Sequence, residues 1–219
     1  MTTLEKQGAV FVLDLGDGDN RFNADSVAEI NAALDEVEAV TGPAALVTIA
    51  SGKIWHNGLD LDFMGTLDDD WMPFVGAVQK VFARMLTLPT PTVAAIQGHV
   101  FAAGAMFSLA HDIRLMREDR GYFCLPEIDL GLSFSEGFAA LIAAKLPQPG
   151  LHRLAVLGER LPGPTAVDVG AIDLVVPEEA VLPEAIALAE LLSPKAGSAL
   201  RALRLNFYSD VVASLLPDG

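Results

Sequence analysis

The chain has 219 residues, 52% of them hydrophobic, with 14 basic against 29 acidic side chains and a formal net charge of −15. That length suits one domain with a sizeable core, and the acidic excess argues against nucleic acid or anionic membrane partners, which need a basic footprint. No apolar run approaches the ~20 residues of a membrane span. The N-terminus lacks the pattern of a signal peptide, and the single cysteine, Cys124, suits a reducing, cytoplasmic setting.

In chain order, GAVFVLDL (8–15) predicts a strand, broken by GDGDN (16–20). Asn23 predicts the N-cap of a helix over 24–40, with Val27, Ile30, Leu34 and Val37 on one face. AALVTIA (44–50) is short, apolar and bounded by turn residues, which predicts a buried strand. DLDFMGTLDDD (60–70) reads as an acid-rich loop, 71–86 as a helix, and TVAAIQG (92–98) as a second buried strand. A helix follows from about Ala103 to Ala110, then strands at DIRLM (112–116) and GAIDLVV (170–176). From Leu182 onward the pattern is helical, with Pro194 separating two helices. Alternating strands and helices indicate an α/β class.

The common cofactor and nucleophile motifs are absent: no G-x-G-x-x-G, no P-loop, no G-x-S-x-G. The histidines His56, His99, His111 and His152 have no metal-ligand spacing, so no metal is expected. His111 reads as a helix C-terminal residue interacting with the dipole, and Trp71 with Phe74 as core. Three passages stand out. GKIWHNGLDLDFM (52–64) places Gly58 before Leu59 and Asp60, Ala102–Ala103–Gly104 opens an apolar helix, and FCLPEIDLGL (123–132) carries the lone carboxylate Glu127. Taken singly, Gly58 is a turn residue, Asp60 an N-cap, Gly104 a packing glycine and Glu127 a surface acid.

Together these passages resemble the crotonase (enoyl-CoA hydratase/isomerase) family. NGLDL is similar to its G-x-D-L signature, GHVFAAGAMFSLAHD to its G-x-x-x-G-G-G helix entry, and PEIDLG to its Pro-Glu-x-x-x-G motif. LGERLPGPTAVDVGAIDLVVP (157–177) is similar to a fourth family passage, and the four lie in family order. The resemblance implies a spiral of ββα turns over residues 1–181 and a short C-terminal helical segment over 182–219. It also implies an acyl-CoA substrate, with coenzyme A as part of the substrate and no separate cofactor, and a homotrimer or dimer of trimers.

Carried over residue by residue, the resemblance implies that the amides of Leu59 and Ala103 hold the thioester oxygen and that Glu127 moves the proton. Preorganised amide donors in a dry site stabilise the enolate that forms when a proton leaves the carbon next to the thioester. Gly58, Asp60, Gly104 and Met106 would contact the substrate, and Lys53 and Arg21 are the candidates for the CoA phosphates. The family usually has glycine where Ala102 and Ala103 stand, yet alanine keeps the N–H. Its hydratases carry a second carboxylate where Met106 stands, and methionine is neither acid nor base. The expected reaction is therefore isomerisation of a 3-enoyl-CoA to a 2-enoyl-CoA, with apolar neighbours (Phe123, Leu125, Ile128) raising the pKa of Glu127. The alternatives are another crotonase reaction, such as thioester hydrolysis or hydration with an acid supplied by Glu136 or Asp60, and acyl-CoA binding without turnover. Leu200, Leu203, Phe207, Val211 and Leu215 predict one apolar face on the last helix.

Overall fold

Strands whose side chains are apolar on both faces must be covered on both faces, and the parallel strands of this chain meet that demand. The computed structural model describes residues 2–68 and 70–217; residue 69 of the acid-rich loop and the last two residues of the C-terminal segment lie outside the described residues. The first elements are β1 (Thr3–Gln7), β2 (Val10–Asp14), β3 (Arg21–Phe22), α1 (Ala24–Glu38), β4 (Ala45–Ile49), β5 (Ile54–His56) and β6 (Gly58–Leu59). Next come α2 (Leu61–Gly65), α3 (Met72–Thr87), β7 (Thr92–Ile96), β8 (His99–Phe101), α4 (Ala103–Leu109), β9 (Ile113–Arg117) and β10 (Tyr122–Cys124). The chain continues through α5 (Glu136–Lys145), α6 (Gln148–Leu151), β11 (Leu161–Pro162), α7 (Gly163–Asp168), β12 (Leu174–Val176), α8 (Val181–Leu192) and α9 (Ser198–Leu215).

The larger sheet has the order β1-β2-β4-β7-β9-β12, parallel except for the β1–β2 hairpin. The smaller sheet has the order β11-β10-β8-β5, with β5, β8 and β10 parallel, and β3 pairs with β6 separately. Successive turns such as β7–β8–α4 give one strand to each sheet and then a helix. This matches the spiral of ββα turns that the resemblance implied. Val10, Val12, Val47 and Val93 face α8, which covers them with Val181, Ala185 and Ala189. Phe11, Leu13, Leu46 and Ile96 face the main core with Phe82, Phe107 and Trp55. Each such side chain contributes about 1.5–3 kcal/mol by leaving water.

Side-chain caps start α1, α2 and α5. Asn23 accepts the Ser26 N–H at 3.0 Å and Ser26 Oγ accepts the Asn23 N–H at 2.9 Å, a reciprocal cap on α1. Several expectations need correction. β1 is a polar edge strand without an apolar pattern, so periodicity does not predict it. The acid-rich stretch contains α2, because the Asp60 side chain accepts the Phe63 N–H at 3.2 Å and starts a helix. The strand expected at 170–176 is only Leu174–Val176, since the Gly170 and Ala171 amides turn back to Val167 and Ala166. Phe74 is core as expected, but Trp71 is 41% exposed.

His111 is also corrected. It is buried, with Nδ1 donating to Phe107 O at 3.0 Å and Nε2 accepting from Thr48 Oγ1 at 2.9 Å. Burial lowers its pKa to about 4, so it is neutral and gains nothing from the dipole. On α9 the expected apolar face splits. Val211 and Leu215 are buried, whereas Leu203 and Phe207 are exposed. Arg204 is buried as well, donating to Leu88 O and Thr90 O and pairing with Asp112.

Candidate active site

A cavity of about 780 Å³ opens between α2, α3, α4 and the 3-10 turn Glu127–Leu130. Leu59, Ala102, Ala103, Met106, Pro126 and Glu127 line it, and Leu61, Met64, Trp71, Met72 and Val75 form an apolar extension. The sequence reading put Trp71 in the core; its position at the start of α3 makes it cavity wall instead.

Backbone geometry brings β6 and α4 together. Gly58 has φ +86°, a left-handed conformation open to glycine. A Cβ there would lie 2.8 Å from Ala102 Cβ and 3.2 Å from Ala103 N, so only glycine permits this approach. Ala102 itself takes φ +51° and ψ −130°, a conformation L-residues rarely adopt. It is held by its N–H on Cys124 O at 3.0 Å and its C=O accepting the Met106 N–H at 3.1 Å. Ala103 follows as the first residue of α4, where no preceding helical carbonyl receives its N–H. The Asp60 N–H bonds Phe22 O at 2.9 Å across the β3–β6 pair. Amides alternate sides along a strand, so the Leu59 N–H faces away from β3. Leu59 and Ala103, from different segments, thus both line the cavity.

Glu127 is 8% exposed, and its Oε2 is buried without a hydrogen-bond partner. Burial pushes its pKa up to about 7, opposed by its own backbone N–H. Phe123 and Leu125 are fully buried behind it, but Ile128 is 56% exposed and does not line the cavity. Met106, itself buried, lines the cavity with Glu127, and Leu130 and Leu132 line the same cavity while more than half exposed.

The remaining predicted residues divide. Gly58 and Gly104 shape the wall without lining it; a Cβ on Gly104 would lie 2.6 Å from His56 O. Asp60 is occupied as the α2 cap and lies outside the cavity lining. Glu136 is the exposed first residue of α5 and also lies outside it. Neither acid stands in for the carboxylate missing at Met106. Arg21 lines an adjoining cavity of about 270 Å³ with Asn57, Leu59, Leu61 and Asp62, but pairs with Asp19 at 2.9 Å and Asp62 at 3.6 Å. Lys53 is exposed and lines neither cavity. Among the described residues, no three His, Cys, Asp or Glu side chains gather as metal ligands, and no helix is long and apolar enough to cross a membrane. The sequence reading missed His56, whose Nδ1 accepts the Gly58 N–H at 3.1 Å; its place two residues before a glycine turn was the available signal.

Residues 5–217 match the family model described as enoyl-CoA hydratase/isomerase. The chain is 36% identical to the Arabidopsis thaliana protein named enoyl-CoA delta isomerase 2, peroxisomal, over 98% of this chain and 95% of that one. It is 34% identical to Arabidopsis thaliana enoyl-CoA delta isomerase 3, over 96% of this chain and 93% of that one. The crystal structure of an enoyl-CoA hydratase/isomerase family protein from Pseudomonas syringae superposes with a TM-score of 0.91 at 25% identity, covering 98% of this chain and 93% of the other.

Proposed function

The chain belongs to the enoyl-CoA hydratase/isomerase family, and from that premise we propose that it converts 3-enoyl-CoA thioesters to 2-enoyl-CoA thioesters. The thioester oxygen accepts the N–H groups of Leu59 and Ala103. Glu127, as carboxylate, takes a proton from C2, and the electron pair spreads over the dienolate held by the two amides. Glu127 then returns that proton at C4, leaving the double bond between C2 and C3. One carboxylate completes the cycle. The observation that carries this reading is that Glu127 is the only carboxylate among the described residues lining the cavity, with Met106 where a hydratase needs a second.

Coenzyme A enters as part of the substrate, with no separate cofactor. The two plant relatives named as delta isomerases support the choice of reaction within the family. We propose a homotrimer, supported by Leu203 and Phe207, 55% and 79% exposed one turn apart on α9; light scattering at several concentrations tests it, and a monomer mass rejects it. The single cysteine, buried with its thiol pushed to about pKa 11, suits the cytoplasm we assign, and cell fractionation tests that assignment. For the reaction, purified protein is supplied with a 3-enoyl-CoA and the 2-enoyl product is followed by its conjugated absorbance. Glu127→Gln is expected to lose about 10²–10⁴ in rate, and full activity in that variant rejects the assignment.

A further inference from the structure

The two amides of the proposed hole sit on segments far apart in sequence, and both segments rest on one side chain. His56, at the end of β5, is 2% exposed and lines neither cavity. Its Nδ1 accepts the Gly58 N–H at 3.1 Å. An acceptor on residue i that receives the amide of residue i+2 closes the same ring as an Asx turn. This bond bends the chain where Gly58 takes φ +86°, and the next amide is that of Leu59. The backbone of the same residue supports α4: a Cβ on Gly104 would lie 2.6 Å from His56 O and 2.7 Å from His56 Cβ. The ring lies against Phe22, with centroids 4.1 Å apart, and Phe22 O holds the Asp60 N–H on the far side of Leu59. One residue thus touches the turn, the helix start and the strand that set both donors.

We propose that His56 is a positioning residue, holding the Leu59 N–H in register with the Ala103 N–H through its Nδ1 acceptor while touching no substrate. The proposal rests on the reading of those two amides as the oxyanion hole. Burial lowers the His56 pKa to about 3, which keeps the Nδ1 lone pair free at working pH.

Two variants separate the acceptor from the ring. His56→Leu and His56→Asn both lose the contact with Phe22, but asparagine keeps an acceptor able to close the i to i+2 turn. The leucine variant is expected to lose about 10–100-fold in kcat with little change in KM, and the asparagine variant to stay within about five-fold of wild type. The second readout is the infrared carbonyl stretch of bound hexanoyl-CoA labelled at the thioester carbon. Wild type and the asparagine variant lower its frequency, and the leucine variant lowers it less. A leucine variant equal to wild type in kcat and in carbonyl shift overturns the proposal while leaving the reaction intact. A wild-type protein that shows the carbonyl shift, reduced in the leucine variant and kept in the asparagine variant, yet turns over no 3-enoyl-CoA, supports the positioning role and rejects the isomerase reading. If the leucine variant does not fold, ¹⁵N spectra of wild type labelled at histidine decide the matter. The expected state between about pH 6 and 8 has the His56 proton on Nε2; a proton on Nδ1, which leaves nothing to accept the Gly58 amide, overturns the proposal.

Discussion

Glu127→Gln separates what the carboxylate does for stability from what it does for chemistry. The folded-state pKa of Glu127 is about 7 against a reference of 4.5. A carboxyl with a raised folded pKa binds more protons in the folded state than in the unfolded one between those two values. Stability therefore falls as pH rises through that window, and above it the protein carries the full penalty of an ionised buried carboxylate. The shift corresponds to about 3 kcal/mol at 1.36 kcal/mol per pH unit, of which about 2 kcal/mol accrues between pH 5.5 and 8. With Glu127 only 8% exposed, solvent screening removes little of this. Glutamine does not titrate, and any constant loss from its unpaired amide cancels when the two pH values are compared. The measurement is thermal or urea unfolding of both proteins at pH 5.5 and pH 8. Relative to wild type, the variant is expected to gain about 2 kcal/mol on going to pH 8, roughly 4–8 °C in Tm for a chain of this size. It gains that stability while losing activity. A stability difference that is the same at both pH values would refute the claim that desolvation sets the Glu127 pKa.

The same group fixes the activity profile: kcat/KM for a 3-enoyl-CoA is expected to rise to a plateau with a midpoint near pH 7, the value to which burial pushes Glu127. A midpoint in the ordinary carboxylate range would mean a solvated base. Ala102→Gly relieves the backbone at φ +51°; strain of about 1–3 kcal/mol less a glycine entropy cost of about 0.5–1 leaves a gain of roughly 1 kcal/mol in urea melts. A destabilised glycine variant would show that the Ala102 methyl contributes more by packing than its conformation costs. Hydration of a 2-enoyl-CoA should run at least about 100-fold slower than isomerisation, on the scale of one general acid–base group. Comparable rates would mean that a second acid reaches the water despite Met106.

Features decided within a few residues were legible in the sequence. Strands apolar on both faces, as at 44–50 and 92–98, imply a parallel sheet covered on both sides, and Asn23 caps α1 from its own first turn. The order of NGLDL, the 102–104 helix entry and PEIDLG pointed to the family, and Met106 in place of a carboxylate pointed to isomerisation. Other features depend on segments that meet only after folding. Nothing local reveals that Gly58 lies against Ala102, that Trp71 lines a cavity, or that on α9 Arg204 is buried while Leu203 and Phe207 are exposed. Glu127 illustrates the division. Its identity and motif are written in the chain, but its pKa follows from how much water the surrounding walls exclude. The buried walls are Met106, Phe123 and Leu125, whereas the neighbouring Ile128 is more than half exposed. Periodicity and capping act over one or two turns of backbone, whereas desolvation and backbone approach belong to the packed whole, and so only the tertiary structure decides them.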